Sequence, residues 1–173
     1  MDPWRDIEPG ENAPGVVTVV VEIPKGSQNK YEYDKKNKAF KLDRVLFSPF
    51  HYPGDYGFIP KTLAEDGDPL DALVLVSHPT FTGALIEAKP IGALGMKDGK
   101  DNDEKILCVP LYDQRFSHLK DMDDLQEPVA MEIAHFFKVY KELEHKRVKV
   151  LGWEGAEYAR KIISESIKRF EKG

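Results

Sequence analysis

Asp66-Gly67-Asp68-Pro69-Leu70-Asp71-Ala72-Leu73-Val74-Leu75-Val76 joins a turn carrying three carboxylates to an apolar run with no polar alternation. Asp is favoured in turns, and Gly and Pro punctuate them. An unbroken apolar run of this length is what a strand buried on both faces requires. The turn itself has two readings. One is a solvated acidic turn before a buried strand. The other is a hard-cation site, because carboxylate oxygens suit Mg²⁺, Mn²⁺ or Ca²⁺ and three crowded Asp repel one another without a cation between them. If extended, Asp66 and Asp68 share a face while Asp71 points away, so convergence of all three needs the bend that Gly67 and Pro69 permit.

Upstream, Phe50 to Pro60 is rich in aromatic residues, Gly and Pro. It reads either as a packed loop or as a loop setting Tyr52, Tyr56 and Asp55 against a polar ligand. Asn29 to Tyr33 alternates, which puts Lys30 and Glu32 on one face, roughly 7 Å apart. Asp34 to Lys38 is a polar loop, and Ala39 to Val45 is the return strand of a hairpin, with Phe40, Leu42 and Arg44 on one face. Val16 to Ile23 is a strand that ends at Glu22 and Ile23, preceded by an irregular arm from Met1 to Gly15.

Downstream, Leu85 to Ala88 and Pro90 to Met96 read as two strands. A second acidic loop, Asp98 to Lys105, then leads into the apolar strand Ile106 to Val109. Both acidic loops precede apolar strands, so in a closed sheet the two could meet at one end. The last third is helical. Asp123 or Asp124 can cap a helix with Pro128 in its first turn, and Val129, Ile133, Phe136, Tyr140 and Leu143 form an amphipathic stripe. His135 and Phe137 widen the apolar side, which suggests a subunit interface. Arg147 to Trp153 is a short strand, and Ala156, Ala159, Ile163 and Phe170 mark a C-terminal helix.

With 173 residues, no repeat and no linker, residues 1–173 are expected to form a single domain. No stretch has the length and apolarity to span a bilayer, no signal pattern opens the chain, and the one cysteine, Cys108, has no partner for an internal disulfide. A cytoplasmic location without membrane attachment is therefore expected. A formal net charge of −5 argues against nucleic-acid binding.

Carboxylates able to hold several divalent metals, beside Lys and Arg able to grip an anion, are what phosphoryl transfer requires. The chain lacks a Gly-rich phosphate loop ending in Gly-Lys-Ser/Thr, and the spacing after Asp66 does not supply an EF-hand calcium loop. An aspartyl-phosphate phosphatase wants its acids after a buried strand, whereas here they come before it. On the residues alone, this is a metal-dependent phosphoryl hydrolase, with pyrophosphate, a nucleotide or a phosphomonoester all open as substrate.

Asp66 to Ala72 resembles the signature of the family I soluble inorganic pyrophosphatases. Glu22-Ile23-Pro24, Lys30-Tyr31-Glu32, Asp43-Arg44, Tyr52 to Gly57, Gly92 to Met96 with Asp98, Asp103 to Lys105, and His135-Phe136-Phe137 with Tyr140-Lys141 match in order and spacing. The length is similar to that of the short prokaryotic form. The resemblance implies a mainly β, α+β fold: a five-stranded OB-like closed barrel with two main helices packed outside. It implies hydrolysis of pyrophosphate to two phosphates without a covalent intermediate, using several Mg²⁺ ions (or Mn²⁺), in a homo-hexamer. It also implies the roles. Asp66, Asp71 and Asp103 match metal ligands, Asp98 and Glu32 match ligands of further metals, and Asp68 matches the general base. Tyr56 is placed near the nucleophile. Lys30, Arg44, Lys105, Tyr140 and Lys141 match phosphate-binding groups, while Glu22, Tyr52 and Asp55 match supporting residues. Many members carry an acid after the position of Asp98, where this chain has Gly99, with Asp101 two residues further on. The rival expectation is a non-catalytic OB-type barrel that binds oligonucleotide or polyphosphate.

Overall fold

The computed structural model describes residues Met1–Gly173. Its strands are β1 (Val17–Ile23), β2 (Asn29–Asp34), β3 (Ala39–Val45), β4 (Asp55–Phe58), β5 (Asp71–Val74), β6 (Leu85–Asp98), β7 (Asp101–Asn102) and β8 (Lys105–Pro110). After helix α1 (Glu127–Val139) come β9 (Val148–Gly155) and helix α2 (Ala156–Lys172). Strands β1, β4, β5, β8 and β6 hydrogen-bond in that order, and β6 returns to β1. The result is the closed five-strand ring expected of the chain, with β9 extending β6 and β2–β3 standing apart as a hairpin.

Ring closure explains the apolar runs. In β5 and the residues after it, Leu73 and Leu75 join the cluster that contains Ile133, Phe136 and Phe137 of α1. Ala72, Val74 and Val76 join the cluster that contains Ala159 and Ile163 of α2. Strand β8 divides the same way, Leu107 and Val109 to one cluster, Ile106 and Cys108 to the other. Each face is buried, so neither strand can alternate with polar residues. Each large apolar side chain removed from water contributes about 1.5–3 kcal/mol.

One pairing in the ring is parallel, β5 with β8, in the register Ala72↔Ile106. Parallel strands run the same way, so the loops that precede them open at the same end. Asp71 and Lys105, the first residues of the two strands, consequently lie side by side. This is how the two acidic loops meet.

Three local expectations change. Residues 85–98 are one strand, not two; it stays in the ring across Pro90 because its register with β8 slips between Pro90 and Gly92. Helix α1 is capped by Gln126 without a side-chain bond, because Asp121 and Asp124 form a capping box on their own short turn at Met122–Asp124. Along the helical stripe, Leu143 is exposed, since the helix has ended, and Phe137 is buried, not part of a second surface. The N-terminal arm is irregular, as expected, and it is docked: Trp4 is buried and its Nε1 donates to the Thr62 carbonyl at 2.8 Å.

Candidate active site

The acidic turn is built by its own backbone. Gly67 has a φ of +87°, a region L side chains rarely adopt, and it lets the chain reverse between Asp66 and Asp68. Asp68 N–H donates to Asp66 Oδ1 at 2.9 Å, and Ala64 N–H donates to the Asp68 carbonyl at 2.7 Å. Beneath the turn, the fully buried Thr62 hydroxyl donates to the Ile59 carbonyl at 2.6 Å and accepts from Leu70 N–H at 2.9 Å. Thr62 thus ties the turn to the chain leaving β4. Nothing in the sequence pattern distinguishes it from any other loop threonine.

A cavity of about 290 Å³ opens at the end of the ring where the two acidic loops meet. The acidic turn contributes Asp66, Asp68 and Asp71; the second loop and β8 contribute Asp98, Asp103 and Lys105. Strand ends and the hairpin add Glu22, Lys30, Glu32 and Tyr56, and the end of α1 adds Tyr140 and Lys141. Asp101, on β7, does not line it. Lys35, from the hairpin loop, does.

Of the seven carboxylates lining the cavity, five are paired with lysines, and Glu22 and Asp66 are not. Lys105 Nζ donates to Asp71 Oδ2 at 2.6 Å, to Asp103 Oδ1 at 2.8 Å and to the Tyr56 hydroxyl at 2.9 Å. Lys30 bonds to Glu32 and stands 3.5 Å from Asp43. Lys141 donates to Asp98 at 3.0 Å, and Lys35 to Asp68 at 2.5 Å. Burial, followed by the neighbouring charges of Asp68 and Asp103, holds the Asp66 carboxyl above the usual range. Burial also raises Asp71, with Asp103 adding to the rise and Lys105 opposing it. For Lys105, burial disfavours the charge, but Asp71, Tyr56 and Asp103 outweigh it and the ammonium is retained. Burial raises Tyr56 well above the usual phenol range, so its hydroxyl keeps its proton.

Three residues expected at the site stand off the cavity. Tyr52 is buried against Phe136 and Tyr56, with ring centroids 4.9 and 5.4 Å away. Asp55 is fully buried on a different errand: it accepts from Lys25 N–H at 2.8 Å and from the Thr80 hydroxyl at 2.5 Å, pinning two loops. Arg44 is clamped by Asp43 at 2.6 Å and by Glu144 at 2.6 Å.

No three of the carboxylates stand close enough to cage a metal ion as they are. The donor set nevertheless fits hard divalent cations. It is all carboxylate oxygen, and Asp71 and Asp103 already share one cation, the Lys105 ammonium. Asp66, Asp71, Asp103, Asp98 and Glu32 are the residues that could hold such ions.

A sequence-family model described as inorganic pyrophosphatase matches residues 19–171. The chain is 54% identical over 158 residues to the inorganic pyrophosphatase of Halalkalibacterium halodurans, covering 91% of this chain and 97% of that one. It is 50% identical over 163 residues to the inorganic pyrophosphatase of a Nostoc species, covering 94% and 96%. The crystal structure of inorganic pyrophosphatase from Thermus thermophilus superimposes with a TM-score of 0.94 at 47% identity, covering 98% of this chain and 99% of that one.

Proposed function

This chain belongs to the inorganic pyrophosphatase family, and from that premise we propose that it hydrolyses pyrophosphate to two phosphates in the cavity between its two acidic loops. The observation that carries the reading is the parallel register of β5 and β8, which sets Asp71, Lys105 and Asp103 in one bonded cluster. The family is generally metal-dependent, and Mg²⁺, with Mn²⁺ as a substitute, is the cation we assign here. When bound, such cations neutralise phosphate charge and lower the pKa of water.

The chain's own residues do the rest. Asp68 takes the proton from the attacking water. Lys30, Lys105, Lys141 and Tyr140, together with Arg44 once it leaves Glu144, hold the two phosphates and stabilise the charge that develops on the leaving one. Tyr56, still protonated, orients the water. Asp66, Asp71 and Asp103 would hold the cations that supply water activation when bound, and Asp98 and Glu32 would hold further ones; Glu22, Tyr52 and Asp55 support the walls. The assembly we propose is a homo-hexamer, supported by Met131 and His135, which are exposed one turn apart on α1. The buried, unpaired Cys108 suits the cytoplasm, and no helix is long and apolar enough to cross a membrane.

Incubation with pyrophosphate and Mg²⁺ is expected to release phosphate, and Asp68→Asn or Asp103→Asn to lower kcat by about 100-fold or more. Wild-type rates in both variants would overturn the assignment.

A further inference from the structure

Lys35 lies in the loop between β2 and β3, outside every motif that marks the site. Its ammonium donates to Asp68 Oδ1 at 2.5 Å and to the Gly67 carbonyl at 3.2 Å. It also stands 4.6 Å from the centroid of the Trp4 ring. One side chain thereby joins the hairpin, the acidic turn and the N-terminal arm.

The two ends of this chain of contacts differ in rigidity. Trp4 is 6% exposed. Its Nε1 is bonded to Thr62, its N–H donates to Asp2 Oδ1 at 3.1 Å, and its ring packs 5.8 Å from that of Phe170. Asp68 is the opposite. Its side chain is 64% exposed, and its carboxylate has no hydrogen-bond partner besides Lys35. An exposed ion pair adds little to global stability, so this one is a poor device for holding the fold. It is a good device for holding a carboxylate. The Trp4 face fixes where the ammonium sits, through attraction between cation and ring, and the ammonium fixes which way Asp68 points.

We propose that Lys35 is a positioning residue that orients the Asp68 carboxylate for proton removal, and that the Trp4 ring, by holding Lys35, makes the N-terminal arm part of the active site. The proposal rests on Asp68 acting as the base. Small misplacements of a reacting group cost large factors in rate, so the effect belongs in kcat. The ammonium is already engaged by a carboxylate, a carbonyl and a ring, whereas a direct grip on substrate would show in KM instead.

The test is a mutant cycle on the full chain in Mg²⁺. Lys35→Met is expected to lower kcat about fivefold with KM within about twofold of wild type. Lys35→Arg, which keeps the charge and the attraction to the ring, is expected to restore kcat to within about 1.5-fold. In an Asp68→Asn background, Lys35→Met is expected to have no further effect on the residual rate. A second readout needs no turnover: Asp68→Asn should change the tryptophan emission of the wild-type chain and leave that of the Lys35→Met chain unchanged. A loss carried by KM, or an equal loss in the Asp68→Asn background, would overturn the proposal. So would an emission response to Asp68→Asn that survives in Lys35→Met. Wild-type activity in Asp68→Asn alone would overturn the base assignment, an outcome distinct from these.

Discussion

Glu22 sits where β1 runs out onto the cavity, and Tyr33 N–H donates to its Oε1 at 2.8 Å. Burial pushes its carboxyl up from 4.5 to about 8, against the pull of that bond. Folding therefore favours the protonated form, so its contribution to stability is complete below pH 4.5 and is lost as pH rises through about 8. In metal-free protein, thermal unfolding followed from about pH 5 to 9 is expected to show a falling midpoint. Glu22→Gln, which cannot ionise, should flatten that fall and be the more stable of the two at the alkaline end. An equal slope in both proteins would show that the proton resides elsewhere. Glu22 is also a measure of what a sequence discloses. Its position at a strand end is readable from alternation, but its proton is not, because that depends on how Tyr33 and the rest of the hairpin close over it. Lys35 is less readable still: one lysine among three in a polar loop, singled out by the ring and carboxylate it reaches in space.

At the scale of elements, strands that alternate or run unbroken are legible, and β5 is recognisable as buried on both faces from five apolar residues in a row. The parallel relation of β5 to β8 is not, because periodicity reports which faces are buried and is silent on which strand lies alongside. Sequence divides β6 at Lys89, because Pro90 cannot donate to a ladder; the structure absorbs Pro90 in a register slip. Asp55 shows a similar limit for the site, since its place in a motif beside Tyr56 does not disclose that its carboxylate faces the other way. Close approach between elements also carries a prediction. At Gly57, on β4, an added Cβ would lie 1.8 Å from the Val20 carbonyl oxygen of β1. Backbone cannot yield as a flexible side chain would, so Gly57→Ala is expected to cost about 3 kcal/mol or more. The check is urea unfolding, with a lower midpoint at unchanged m. A midpoint equal to wild type would mean that the ring can open at that seam without penalty.

At the scale of the whole molecule, the hexamer proposed above predicts a solution mass six times that of the chain, measured by light scattering, and a mass equal to one chain would refute it. The closed ring leaves one further consequence, which concerns time. Asp71 and Lys105 are separated by 34 residues, and all of β6 and β7 must be laid down between them before β5 and β8 can register. Contacts so distant along the chain form late, because their closure entropy is met before they are rewarded. The two acidic loops therefore come together only when β5 and β8 register, while the ring closes at β1 and β6, whose pairing of Val17 with Ala88 spans more of the chain. A chain in which β5 and β8 have not yet paired has the carboxylates but no place where they meet. Under the proposed function, cations bound there would act on a seam already closed, slowing its opening and leaving the speed of closing unchanged.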